Sequence, residues 1–165
     1  MPLLNNTTIR LIESGDNEAL AIIIRRTLEE FGANHPGTVY FDPTTDYLYQ
    51  LFQTPHSCYF VATLPQGIVG GGGIFPTTGL PPDTCELVKL YLLPEVRGIG
   101  LGKRLIEQCF QQALALGFSR MYLETMPELT IAVPLYEKMG FQYLDGPMGN
   151  SGHFGCAIQM LKQLQ

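Results

Sequence analysis

Hydrophobic and polar positions along this chain alternate between two periods. In SGDNEALAIIIRRTLEEFG (14–32) apolar residues return at helical spacing, with Leu20, Ile23, Ile24, Leu28 and Phe31 on one face. Ser14 or Asp16 is placed to cap that helix and Gly32 to end it. A second helix pattern follows the central strands, with Leu101, Leu105, Ile106, Cys109, Phe110 and Ala113 as its buried side. YLYQLF (47–52) and TIAVPLYEKMG (130–140) read as shorter helices, the latter with Pro134 in the first turn, where a missing N–H costs least.

Runs rich in branched and aromatic residues predict strands at TTIRLI (7–12), SCYFVATL (57–64), IVGGGGIF (68–75), CELVKLYLL (85–93), SRMYLET (119–125), FQYLDG (141–146) and FGCAIQMLKQL (154–164). Pro65-Gln66-Gly67 is a hairpin turn between the second and third. The resulting order, β-α-α-β-β-β-α-β-α-β-β, predicts a single α/β domain over residues 1–165, a mixed central sheet flanked by helices. No repeat, linker or low-complexity tract interrupts it. Four consecutive glycines (70–73) weaken a strand, and suit either close packing or room for a substrate.

Composition narrows the function. With 165 residues, a net charge of -5 and a pI near 5.1, the chain is no general nucleic-acid binder. No apolar run reaches membrane-spanning length, and MPLLNNTTIR lacks the pattern of a signal peptide. Cys58, Cys85, Cys109 and Cys156 form no CxxC pair, and His35, His56 and His153 are equally scattered. The expectation is a cytoplasmic protein with free buried thiols and no metal.

One segment stands out chemically. PEVRGIGLGKRLI (94–106) places Gly98, Gly100 and Gly102 between Arg97 and Lys103, after a strand and before a helix. A Walker loop requires a leading glycine where Arg97 stands and Ser or Thr where Arg104 stands. A Rossmann fingerprint would need glycine at Lys103 or Leu105. Both fail. What remains is a glycine-spaced helix start whose free N–H groups and dipole suit a phosphate, with Arg97 and Lys103 supplying charge.

The sequence CELVKLYLLPEVRGIGLGKRLIEQCFQQALALGF, followed by YLET and then LYEKMGF, resembles the GNAT N-acetyltransferase superfamily, most strongly from Cys85 to Phe141. Arg97, Gly100 and Gly102 match its [QR]-x-x-G-x-[GA] pyrophosphate loop, and LYEKMGF its second signature. The resemblance implies acetyl-CoA as cosubstrate, held by the loop Arg97, Gly98, Ile99, Gly100, Leu101, Gly102 and Lys103. It also implies backbone groups of Leu90, Tyr91 and Leu92 along the pantetheine arm, in a strand splayed from its neighbour. Where many members carry Asn after the fifth strand, this chain has Glu124 and Thr125, and Thr125 is the substitute contact.

By the same resemblance Glu86 matches a catalytic glutamate and would act as general base, directly or through water. Its competing reading is a surface residue or a pair with Lys89. Tyr136, in LYEK, would be the general acid near the coenzyme sulfur, with a half-buried helix aromatic as the alternative. Lys138 reads as a solvated helix cation. The acceptor, an amine of a small molecule or peptide, would lie between NHPGTVYFDPTTD (34–46) and PMGNSGHF (147–154). There Tyr40, Asp42 and His153 are either substrate contacts or loop supports. The reaction implied is direct attack of the amine in a ternary complex; the alternative is a non-catalytic acetyl-CoA-binding sensor. The expected partners are an amine substrate, no nucleic acid and no membrane, with room for a homodimer.

Overall fold

The computed structural model describes residues 2–164; Met1 and Gln165, the ends of the expected 1–165 domain, lie outside the described residues. In chain order the elements are α1 (Pro2–Asn5), β1 (Thr8–Leu11), α2 (Asn17–Glu30), α3 (Leu48–Leu51), β2 (Cys58–Leu64), β3 (Gly67–Phe75), β4 (Thr84–Leu92), α4 (Leu101–Ala115), β5 (Arg120–Thr125), α5 (Ala132–Lys138), β6 (Gln142–Tyr143) and β7 (Ile158–Gln163). The seven strands form one mixed sheet in the order β1-β2-β3-β4-β5-β7-β6. Among the described residues, β4 and β5 are the only neighbours that run parallel.

Two core clusters lie on opposite faces of the sheet. Leu20, Ile24 and Leu28 of α2 pack with Leu48, Tyr59 and Val61 on one face. Leu101, Leu105, Ile106, Cys109 and Ala113 of α4 are fully buried on the other, against Phe60, Ala62 and Leu123. Both helical faces are those the periodicity predicts, and each buried Leu or Ile contributes about 1.5–3 kcal/mol. Strand β2 is covered on both faces, which is why its sequence is apolar almost throughout.

The structure departs from the sequence pattern in four places. The turn α1 precedes β1, β6 keeps only two residues of FQYLDG, and β7 begins at Ile158, the four residues 154–157 of the expected strand being loop. Asp16 does not cap α2. Its carboxylate takes both guanidinium nitrogens of Arg10, at 2.8 and 3.0 Å, and the Glu13 N–H, so a 3-10 turn over Ser14–Asp16 leads into the helix instead.

The glycine run of β3 has a packing reason. A Cβ on Gly71 would meet the Tyr59 ring at 2.6 Å, and one on Gly72 would meet Leu90 at 2.7 Å. The Tyr59 ring packs directly on Gly71 and Gly73 of β3, and its hydroxyl donates to the Lys89 carbonyl at 2.8 Å. That carbonyl belongs to a bulge. The β3–β4 register slips between Gly71 and Gly73, and Lys89 takes a left-handed φ of 52°. The glycines thus let an aromatic side chain from β2 brace an irregularity in β4.

Candidate active site

Strands β4 and β5 pair only from Thr84 to Glu86 against Arg120 to Tyr122, although β4 runs on to Leu92 and β5 to Thr125. Beyond Glu86 the two diverge and open a slot lined by Leu90, Tyr91, Thr125, Met126 and Tyr136. On that side β4 has no strand neighbour. The Thr125 hydroxyl is buried there without a hydrogen-bond partner. Tyr136 is buried too, and its hydroxyl makes no hydrogen bond among the described residues; burial raises its proton affinity well above that of a free phenol.

The glycine segment lies at the end of this slot. A 3-10 turn over Pro94–Val96 leads into Gly98 and Gly100, whose φ angles of 76° and 92° only glycine adopts without strain. The first helical backbone bond of α4 runs from the Arg104 N–H to the Gly100 carbonyl at 3.1 Å. The N–H groups of Gly98 through Lys103 have no backbone acceptor among the described residues. A Cβ on Gly102 would come within 3.0 Å of Leu135, so glycine there lets α5 approach the turn. Beside it an apolar groove runs between Phe31 of the α2 end, Leu92, Leu129 and Leu135.

Arg97 does not extend into solvent. Its guanidinium binds Glu30 through two bonds of 2.7 and 3.0 Å, its Nε donates to the Leu92 carbonyl at 3.0 Å, and it stacks on Phe31 at 5.1 Å. It joins the loop to α2, and it occupies one of the β4 carbonyls expected to face the pantetheine arm. Lys103 is exposed, 3.9 Å from Glu107, and Lys138 is exposed on α5.

At the mouth of the split sits Glu86, only 3% exposed, accepting from the Thr77 hydroxyl at 2.5 Å. Burial, reinforced by the Glu124 carboxylate, pushes its pKa up to about 7, against the opposing pull of Thr77, His153 and Lys89. Glu124 itself accepts from Tyr122 and Ser151. His153 Nε2 lies 2.7 Å from Asp42. Burial would raise the Asp42 carboxyl, but the His153 and Thr44 hydrogen bonds together hold it well below the usual carboxylate range. Asp42, Thr44, Thr77, Glu86 and His153, with Lys89, Asn150 and Ser151, wall an open cleft of about 210 Å³.

Of the three residues expected near the acceptor, Asp42 and His153 reach the cleft. Tyr40 does not line it: its hydroxyl donates to Glu29 and its carbonyl accepts from Arg25. The alternative pairing of Glu86 with Lys89 is absent, since no ion pair or hydrogen bond joins them. Sequence reasoning missed Lys89 and Thr77 as parts of the site. Three residues apart on a regular strand, Glu86 and Lys89 would face opposite sides; the bulge turns both to one cleft. Two charged residues in the otherwise apolar CELVKLYLL were the available signal.

Comparison with known proteins agrees with this geometry. The model of the acetyltransferase (GNAT) family matches residues 24–141. The chain is 42% identical over 157 residues to a protein named the uncharacterized N-acetyltransferase YjgM of Escherichia coli, with 94% of each chain covered. The chain belongs to the GNAT acetyltransferase family. Among solved structures, a GNAT-family acetyltransferase from Staphylococcus aureus superposes with a TM-score of 0.85 at 18% identity, covering 96% of this chain and 99% of that one. The yncA acetyltransferase of Salmonella typhimurium, solved with acetyl-CoA, gives a TM-score of 0.72 at 21% identity, covering 97% and 95%.

Acyl transfer from acetyl-CoA is therefore this chain's class of activity, and its residues fit such a cosubstrate. The GNAT split leaves β4 backbone free along a slot, the orphaned Thr125 hydroxyl faces that slot, and the unpaired N–H groups at 98–103 offer an anion seat at its end. Among the described residues no group of three or more His, Cys, Asp or Glu could hold a metal, and no helix is long and apolar enough to cross a membrane.

Proposed function

We propose that this protein acetylates the amine of a small molecule or peptide by direct attack within a ternary complex. The observation that carries the reading is Glu86: a buried carboxyl with a pKa of about 7, at the point where the β4–β5 slot opens into the acceptor cleft. Bound acetyl-CoA would supply an acyl thioester, with the thiol as leaving group. Glu86 is the group that takes the proton from the acceptor ammonium, directly or through one water, and a pKa near the working pH suits that task. Tyr136, kept neutral by burial, is the donor to the departing sulfur. Leu90, Tyr91 and Leu92 hold the arm through the backbone groups that Arg97 leaves free, with Thr125 as the side-chain contact, and in the turn from Arg97 to Lys103 the N–H groups of Gly98 to Lys103 seat the pyrophosphate. Cys156, which also lines the slot, is pushed up to about 12 by burial, so it stays a thiol at neutral pH and supplies no nucleophile for a covalent route. Four buried, unpaired cysteines fit a reducing compartment, and the cytoplasm is our reading.

The test is free-thiol release from acetyl-CoA in the presence of amines, amino acids and short peptides, beside calorimetric titration of acetyl-CoA. Binding with amine-dependent thiol release is the expected result. Tight binding with no release for any amine would instead identify a coenzyme sensor.

A further inference from the structure

Lys89 is an amine without a hydrogen-bond partner: burial lowers its proton affinity, and the Asp42 and Glu86 carboxylates oppose that by favouring the ammonium. It is 92% withdrawn from solvent by its 8% exposure, yet its ammonium makes no hydrogen bond and no ion pair among the described residues. It lines both the β4–β5 slot and the acceptor cleft. Its backbone holds a left-handed φ of 52°, and apart from His56 no other described non-glycine residue has a positive φ. Strain of that kind persists where the surroundings enforce it, here through the Tyr59 hydroxyl on the Lys89 carbonyl. The surrounding carboxylates act on it through space but none bonds it: Asp42 accepts from Thr44 and pairs with His153, Glu86 accepts from Thr77, and Glu124 accepts from Tyr122 and Ser151. The buried unpaired side-chain nitrogens and oxygens among the described residues are Arg120 Nε and Thr125 Oγ1, so the Lys89 nitrogen is not sealed off but opens on the cleft, with three donors for a ligand's acceptor. Thr78 and Asn150, at the exposed rim of the same cleft, leave their side chains open to solvent and within reach of a bound acceptor.

We propose that Lys89 anchors a carboxylate of the acceptor, so that the cleft accepts amines of amino-acid size bearing a carboxylate, and disfavours diamines and amidated peptides. This rests on the transferase reading above and names its substrate class. The acceptor would span from the Glu86 carboxyl, which receives its amine, to the Lys89 ammonium, which receives its carboxylate, with Thr78 and Asn150 as further donors. A second cation on the acceptor would meet Lys89 and be repelled.

The experiment compares kcat/KM for glutamate, methionine and phenylalanine with that for their amides and for putrescine, in the parent and in Lys89→Met and Lys89→Gln. The free acids should be preferred by the parent, and that preference should fall by about 30-fold or more in both variants, as when one partner of a buried charge pair is removed. Preference for amides or putrescine, or an acid-to-amide ratio unchanged in the variants, overturns the proposal. If no amine releases thiol while acetyl-CoA binds, the transferase reading fails. Titration of the CoA-loaded protein with the same amino acids then decides the anchor separately: Lys89-dependent binding upholds it and no binding sinks it. Should neither variant fold, 3-phenylpropionate as a competitive inhibitor of the parent, with its amide inert, is the expected result; equal inhibition by both overturns it.

Discussion

A carboxyl that prefers its proton in the folded state changes both stability and rate with pH. Glu86 has an ordinary pKa of 4.5 and a folded one of about 7, so between those values the native state binds more protons than the unfolded chain. Stability must then fall as pH rises through that window, by on the order of 3 kcal/mol at most. Glu86→Gln removes the titration, so its melting temperature should decline less than the parent's between pH 5 and pH 8. Its rate should show the opposite ranking. The parent gains a base only as Glu86 ionises, so the rate ratio of parent to variant should grow from below pH 7 to a plateau above it in single-turnover assays. A constant ratio would remove Glu86 from proton transfer. For Tyr136 the separable quantity is the hydroxyl. Tyr136→Phe keeps the ring that packs on Phe141, so acetyl-CoA affinity should hold while single-turnover rate falls by about 10- to 10³-fold. Equal losses in affinity and rate would mark a packing role.

At the scale of elements, the turn from β4 to α4 divides its work between backbone and side chain. Sequence matched Arg97 to a phosphate ligand, but its charge is balanced by Glu30 and its geometry fixed by the Leu92 carbonyl and Phe31. What faces outward is the row of N–H groups set by the left-handed Gly98 and Gly100. Calorimetry should therefore find that Gly100→Val costs more acetyl-CoA affinity than Arg97→Ala, and that the Arg97 loss depends only weakly on salt, since a paired cation projects little field. A steep salt dependence for Arg97→Ala would show that the arginine leaves Glu30 to meet the ligand. The bulge in β4 has the same logic. It needs Gly71 to admit Tyr59, and Tyr59 to hold the Lys89 carbonyl, before Glu86 and Lys89 can share a cleft.

Across the whole molecule, what the sequence disclosed follows from how local each cause is. Helical faces, the hairpin turn and the glycine-spaced helix start depend on neighbours in sequence, and all are where the pattern put them. The partner of Arg97 is 67 residues away, and that of His153 is 111 away, and no period in the chain announces such pairings. The acceptor cleft is closed in this non-local way. His153 meets Asp42, the Gly155 N–H donates to the Gly37 carbonyl at 2.8 Å, and the Asn150 N–H donates to the Thr78 carbonyl at 2.8 Å, so the segment before β7 is fastened to two other loops. The coenzyme slot shares β4 and His153 with this cleft but not the two backbone bonds at Gly155 and Asn150. Loosening the fastenings should separate the two ligands: His153→Ala should raise the acceptor KM a few-fold, as expected for a half-buried pair, while acetyl-CoA affinity stays at the parent value. Measured side by side, an unchanged acceptor KM would mean that the two backbone bonds alone keep the cleft closed. A parallel loss of acetyl-CoA binding would mean that slot and cleft form one cooperative unit.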